Sequence, residues 1–184
     1  MVVATHVKLN YDDLRLFPDN GKRHELIDGE HIMTPAPNTK HQRVVIRLGT
    51  RLQVSVEKTK SGVVFTAPYD VVLSDYDITE PDIVFVSANR QQIITQANLR
   101  GAPDLVVEIL SPSTKEIDRT VKFKLYEKYG VREYWIIDPD AETIEIYAWS
   151  AAGYALLQKF SRGDIVRSQV LPGFACAVDE IFKV

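Results

Sequence analysis

Cysteine is almost missing from this chain. Cys176 stands alone among 184 residues, which excludes an internal disulfide framework and a cysteine-rich zinc site. An excess of either charge is missing too: 22 Lys and Arg against 25 Asp and Glu leave a formal net charge of -3. That balance gives no global pull toward nucleic acid or an anionic membrane, so any phosphate-binding surface has to be local. No apolar run is long enough to cross a bilayer. The first residues, "MVVATHVKLN", lack a charged segment followed by an apolar run and do not read as a secretory signal. Repeats, low-complexity tracts, linkers and glycine-rich phosphate loops are all absent. What is present is an ordinary globular composition, 45% hydrophobic and 26% charged, over a length that suits one domain with a real core. The expectation is a single cytoplasmic domain over residues 1–184 with no membrane partner.

Hydrophobic spacing predicts alternating strands and helices. "YDDLRLF" reads as a short helix that Pro18 helps to end. Asp28-Gly29 between two short runs in "RHELIDGEHIMTP" signals a hairpin. Asn38 and Thr39 can cap a helix carrying Val45, Leu48, Leu52 and Val56 at helical spacing, stopped by Gly62. Strands are predicted at "VVFT", "DVVLS", "ITEPDIVFV", "DLVVEIL" and "EYWIID", with a loop or short helix between Arg90 and Leu99. Ser113 with Glu116 three residues later resembles a capping box, opening a helix from about Thr114 to Tyr129. "TIEIYAW" and "YALLQKF" read as a hairpin or meander, and the tail from "LPGF" onward reads as irregular with a final turn of helix.

Charges in the wrong places carry the functional signal. Glu108 interrupts the apolar run of "DLVVEIL", and a buried glutamate is rare unless it is paired or bound to a cation. On the helix that follows, drawn at about 100° per residue, Asp118 and Lys122 fall in the inward arc with Ile117, Val121, Leu125 and Tyr129. Lys124 and Lys128 fall outside it. Asp118 and Lys122 are one turn apart and can pair. A structural ion network accounts for this as well as a catalytic one does. The strand "PDIVFV" adds Asp82, which alternation places on one face with Val84 and Val86, as it places Glu108 with Asp104, Val106 and Leu110. If the two strands are neighbours, Asp82 and Glu108 converge, and two close carboxylates repel unless a cation or proton lies between them. Mg²⁺, or Mn²⁺, accepts two or three carboxylate oxygens plus waters. A lysine beside them serves a phosphate or an attacking water. Asp82, Glu108 and Lys122 therefore suit a metal-dependent phosphodiesterase, with Asp82 and Glu108 as metal ligands.

The same residues carry a family resemblance. Asp at a strand start, Glu in the next strand and then lysine is the PD-(D/E)XK nuclease order. The phrases "ELIDGE", "TPAP", "PDIVFVS", "GAPDLVVEILSPST", Asp118 to Lys122-Phe123 and "GVREYWIIDP" resemble the Uma-two family of restriction-endonuclease-like proteins, from about Glu25 to Phe174. The resemblance implies an α/β restriction-endonuclease-like core: a central mixed β-sheet flanked by helices, here with an N-terminal hairpin and a C-terminal β-hairpin. It implies DNA as substrate and a nuclease site at Asp82 and Glu108. One departure stands out. Leu110 occupies the place of the lysine two residues after Glu108, and Lys122 is expected to take its role. Glu25 is a further site candidate, with a hairpin ion pair to Arg23 or Lys22 as the alternative. A homodimer is the default, since a duplex has two strands to cut. The alternative function is a catalytically inactive binding or regulatory module of the same fold.

The remaining signals are weaker. Asp104 is expected to end its strand or bind a loop amide. His6, His24, His31 and His41 lack metal-ligand spacing, and surface or hairpin roles are expected for them, with a place facing a substrate as the alternative for His41 at its helix start.

Overall fold

The computed structural model describes residues 7–183, which leaves His6 outside the described residues. A single turn, α1 (Tyr11–Leu14), is started by Asn10. Its side chain accepts from the Asp12 and Asp13 amides while Asp13 accepts from the Asn10 amide, a reciprocal cap. The hairpin β1 (Arg23–Ile27) and β2 (Glu30–Thr34) turns at Asp28-Gly29. Both turn residues have positive φ, 52° and 75°, as a two-residue hairpin loop of this kind requires. The long helix α2 (Thr39–Thr59) is capped by Asn38, which accepts from the His41 amide.

Four strands follow: β3 (Gly62–Thr66), β4 (Val71–Val72), β5 (Ile78–Thr79) and β6 (Ile83–Ser87). A 3₁₀ turn (Ala88–Ile93) leads to β7 (Leu99–Arg100) and β8 (Leu105–Ile109). Then come α3 (Lys115–Arg119), α4 (Val121–Lys128), β9 (Glu133–Asp138), and the hairpin β10 (Thr143–Ser150) and β11 (Gly153–Phe160). The chain closes with β12 (Ile165–Arg167), β13 (Ala175–Ala177) and α5 (Val178–Phe182).

The central sheet has six strands in the order β11-β10-β9-β8-β6-β3. It is mixed: β8 and β9 run parallel, joined through α3 and α4, and the other pairs are antiparallel. A parallel pair needs such a crossover. Over β6, β8 and β9 both faces are covered, which is why these strands read as continuous apolar runs. Ile83, Phe85, Leu105, Val107, Ile109 and Trp135 pack on one side with Val44, Leu48, Leu52 and Val56 of α2 and with α5. Val84, Val86, Val106, Leu110 and Ile136 pack on the other with Tyr126 of α4. A second sheet, β2-β1-β5-β4-β7, takes in the N-terminal hairpin. No helix among the described residues is long and apolar enough to cross a membrane.

Four local expectations are corrected. The helix over 114–129 is two helices broken at Thr120, whose φ of -124° and ψ of -71° are not helical. Val121, expected inward, is exposed because the break resets the helical phase. The Ser113–Glu116 capping box does not form: the cap residue is Thr114, without a side-chain cap bond, and the Ser113 hydroxyl pairs with Ser111. Finally, "ITEPDIVFV" is divided between the two sheets as β5 and β6, and the tail from "LPGF" onward, expected irregular before its closing turn of helix, holds the short strand β13 ahead of α5.

Candidate active site

The register of the central sheet sets the site. Antiparallel β6 and β8 pair Ile83 with Val107, so Asp82, one residue before β6, comes opposite Glu108. The Asp82 carboxylate reaches over β8, where Oδ2 accepts the Ile109 amide at 2.8 Å. Both acids are buried and line one cavity.

Each acid has its own counter-charge. Around Glu108 it is Lys122, which is 3% exposed. Its Nζ lies 3.0 Å from Glu25 Oε1, 3.1 Å from Glu108 Oε1 and 3.6 Å from Asp118 Oδ1. The Tyr126 hydroxyl also donates to Glu108 Oε1, at 2.8 Å. α4 explains this arrangement: Lys122, Leu125 and Tyr126 are its buried residues, at the i, i+3, i+4 spacing of one face. Lys124 is exposed, and exposed Lys128 pairs with Asp77. Around Asp82 the partners are Arg23, at 2.6 Å from Oδ1, and His41, whose Nε2 donates to Oδ2 at 2.9 Å. Arg23 and Glu25 share a face of β1 by alternation, so one strand delivers a cation to Asp82 and an acid to Lys122.

The electrostatics are unbalanced. Four buried carboxylates, Glu25, Asp82, Glu108 and Asp118, face two permanent cations, Arg23 and Lys122. Burial pushes the Glu108 carboxyl up to about 8 against the pull of Lys122, with Asp118, Asp82 and Glu25 adding to the rise. Burial also raises Asp118. Asp82 goes the other way: burial opposes its charge, but His41, Arg23 and the Ile109 amide outweigh it and hold the carboxyl below its ordinary value. Lys122 is held well above the usual lysine range, because its three carboxylates overcome the cost of burial. Tyr126 rises well above its ordinary value through burial and the neighbouring Glu108.

The cavity at the centre is small, about 20 Å³, room for about one water-sized occupant. Arg23, His41, Asp82, Glu108, Asp118 and Lys122 line it, together with Thr34, Pro37, Ser111 and Thr114. Among the described residues no three His, Cys, Asp or Glu side chains stand in ready-made ligating geometry. The donor chemistry nevertheless fits Mg²⁺ or Mn²⁺. These ions take one or two carboxylates and fill the remaining positions with water and substrate oxygens. Glu25 Oε2 and Asp118 Oδ1 are moreover buried without a hydrogen-bond donor.

Asp82, Glu108, Lys122 and Glu25 are thus brought together. Glu25 takes Lys122 and the Glu80 amide, not a hairpin ion pair. Asp104 lies elsewhere, accepting the Ser87 amide and pairing with Arg90 and Arg132. His24 and His31 stack on each other and on Phe17 in the hairpin. His41 corrects the expectation of a surface role: it is buried against Asp82. The available signal was its place on the core stripe of α2, three residues before Val44 and seven before Leu48.

The sequence matches the model of the family Uma2, described as "Putative restriction endonuclease", over residues 10–179. A protein of Synechocystis sp. (strain ATCC 27184 / PCC 6803 / Kazusa), "Uncharacterized protein slr1290", is 25% identical over 163 residues, 88% of this chain and 84% of that one. The fold is similar to the crystal structure of a protein from Anabaena variabilis ATCC 29413 described as a putative nuclease belonging to DUF820. The TM-score is 0.78 at 22% identity, covering 95% of this chain and 97% of that one.

Proposed function

The chain belongs to the Uma2 family, and on that premise we propose that it is a Mg²⁺- or Mn²⁺-dependent nuclease that hydrolyses DNA phosphodiester bonds. One observation carries the reading: four buried carboxylates outnumber the two permanent cations packed against them. Buried charge of one sign in excess calls for another cation or for protons. Asp82 and Glu108 would hold the ion, with Glu25 beside them. When bound, the ion would activate a water and neutralise charge on the phosphate.

The protein's own groups do the positioning. The Tyr126 hydroxyl and the Lys122 ammonium fix the orientation of Glu108. The Ile109 amide and His41 do the same for Asp82. Lys122, buried among acids, supplies positive charge to a phosphoryl oxygen or orients the attacking water, where a charge in a dry site counts most. Arg23, about one-fifth exposed, stands where it can meet a substrate phosphate. Homodimers, one subunit per strand of a duplex, and a cytoplasmic location belong to the same reading.

The test is cleavage of supercoiled and linear DNA with Mg²⁺, Mn²⁺ or chelator, by the parent and by Lys122→Met. Metal-dependent cleavage that Lys122→Met loses while still binding the metal supports the assignment. A folded parent that cleaves nothing under any of these conditions favours the alternative, a binding module whose charges are structural.

A further inference from the structure

The overall charge is negative, yet α2 is strongly basic. Its charged residues, His41 aside, are Lys40, Arg43, Arg47, Arg51, Glu57 and Lys58. At about 100° per residue the five cations fall in a band about 80° wide, and at about 1.5 Å per residue they run about 27 Å along the helix. Lys40, Arg43 and Lys58 are exposed, and Arg47 and Arg51 are half-buried. The band borders two separate hollows between α2 and the C-terminal segment. One hollow of about 220 Å³ lies against Lys40 and Arg43, and another of about 470 Å³ against Arg51 and Lys58. The band begins at the same end of α2 as His41, whose side chain turns inward to line the cavity at Asp82 and Glu108, while Lys40 lines the outer hollow.

We infer that this stripe is the track for a DNA backbone running into the cleavage site. The identity of the polyanion rests on the nuclease reading. Its shape and charge follow from the helix: cations of one sign, repeated over most of a turn of duplex, suit a polymer with one charge per unit. The acids present do not cancel the stripe. Asp140 pairs with Lys40 and Glu180 with Arg51, whereas Arg43 and Lys58 have no acidic partner among the described residues. Exposed ion pairs of this type are weak and screened by salt, so a phosphate can displace them. An anionic membrane is the weaker candidate. A membrane-lying helix needs a continuous free apolar face, whereas Val44, Leu48, Leu52 and Val56 are used in the core and the exposed apolar residues of α2 are Ile46 and Val54, two turns apart.

The experiment is fluorescence anisotropy of a labelled 20-base-pair duplex against the full chain, across a salt series and without divalent ions. The variants are Lys40→Ala/Arg43→Ala/Lys58→Ala and a charge-matched control on other elements, Arg15→Ala/Lys22→Ala/Lys124→Ala. Each phosphate contact adds about 0.9 to the salt slope. The stripe variant should therefore lose about 3 from the slope and bind at least about tenfold more weakly near 0.1 M salt, while the control stays near the parent. Thermal unfolding verifies that the variants are folded. Equal loss in both variants, no loss in either, no DNA binding by the parent, or binding to phosphatidylserine vesicles instead would each overturn the track. A parent that binds through the stripe but never cleaves with metal keeps the track and drops the nuclease reading. Cleavage with stripe-independent binding does the reverse.

Discussion

Lys122→Met probes the buried cluster by keeping the length of the side chain and removing its charge. In the parent the ammonium lies 3.0, 3.1 and 3.6 Å from three carboxylates. Removing one partner of a buried ion pair costs about 3–5 kcal/mol, and here three acids lose their cation together. At pH 8 the cost should therefore reach the top of that range. At about 2–4 °C per kcal/mol for a chain of this size, the melting temperature should drop by about 10 °C or more. At pH 5 the cost should shrink. Burial already raises Glu108 to about 8 and raises Asp118, so protons can take the place of the ammonium. The sign follows from linkage: a carboxyl raised in the folded state contributes stability at low pH that is lost as pH rises through its folded value. Saturating Mg²⁺ should also stabilise the variant more than the parent, because the ammonium no longer competes for the acids. Urea unfolding at pH 5 and pH 8, with and without Mg²⁺, measures all of this. A variant as stable as the parent at pH 8, or one whose deficit is the same at both pH values, would refute the reasoning.

Glu108→Gln should flatten the parent's pH profile. The Glu108 contribution, present below about pH 4.5 and lost by about pH 8, disappears when the side chain cannot ionise, and unfolding free energy measured across that window reads the difference. His41→Ala removes a donor from a buried carboxylate and should cost about 1–3 kcal/mol in urea unfolding. Gly62→Ala puts a methyl 2.1 Å from the Val86 carbonyl oxygen and 2.6 Å from the Phe85 ring. It should cost about 3 kcal/mol or more, since backbone has to move; a melting temperature equal to the parent's would show that the β3–β6 contact is looser. Lys124→Ala should stay within about 0.5 kcal/mol of the parent, because Lys124 lies in solvent away from the cluster.

How much of this was legible in the sequence depended on distance along the chain. Alternation in "PDIVFV" and "DLVVEIL" was enough to put Asp82 and Glu108 on one face, because each strand is short and buried on both sides. A continuous helical wheel places Lys122 inward, although the helix breaks at Thr120. The placement survives because Lys122, Leu125 and Tyr126 define the phase of α4 by themselves. The same wheel turns Val121 inward, whereas it lies just after the break and is exposed. Arg23 and His41 were not assigned to Asp82: they precede it by 59 and 41 residues, and no local period reports a contact between a second sheet, a helix start and a strand end. The division of "ITEPDIVFV" between two sheets was hidden too, since Glu80 and Pro81 read equally well as a kink within one strand.

On the proposed function, the acids outnumbering Arg23 and Lys122 take a divalent ion. Calorimetric titration of the metal-free chain with Mn²⁺ at pH 8 tests it most directly, alongside Asp82→Asn and Glu108→Gln variants shown to be folded. The prediction is one saturable site in the parent, with release of protons as Glu108 ionises, and loss of that site in both variants. A parent that takes up no Mn²⁺, or variants that bind it as tightly as the parent, would contradict the claim and leave Lys122 as the structural counter-ion of a closed cluster.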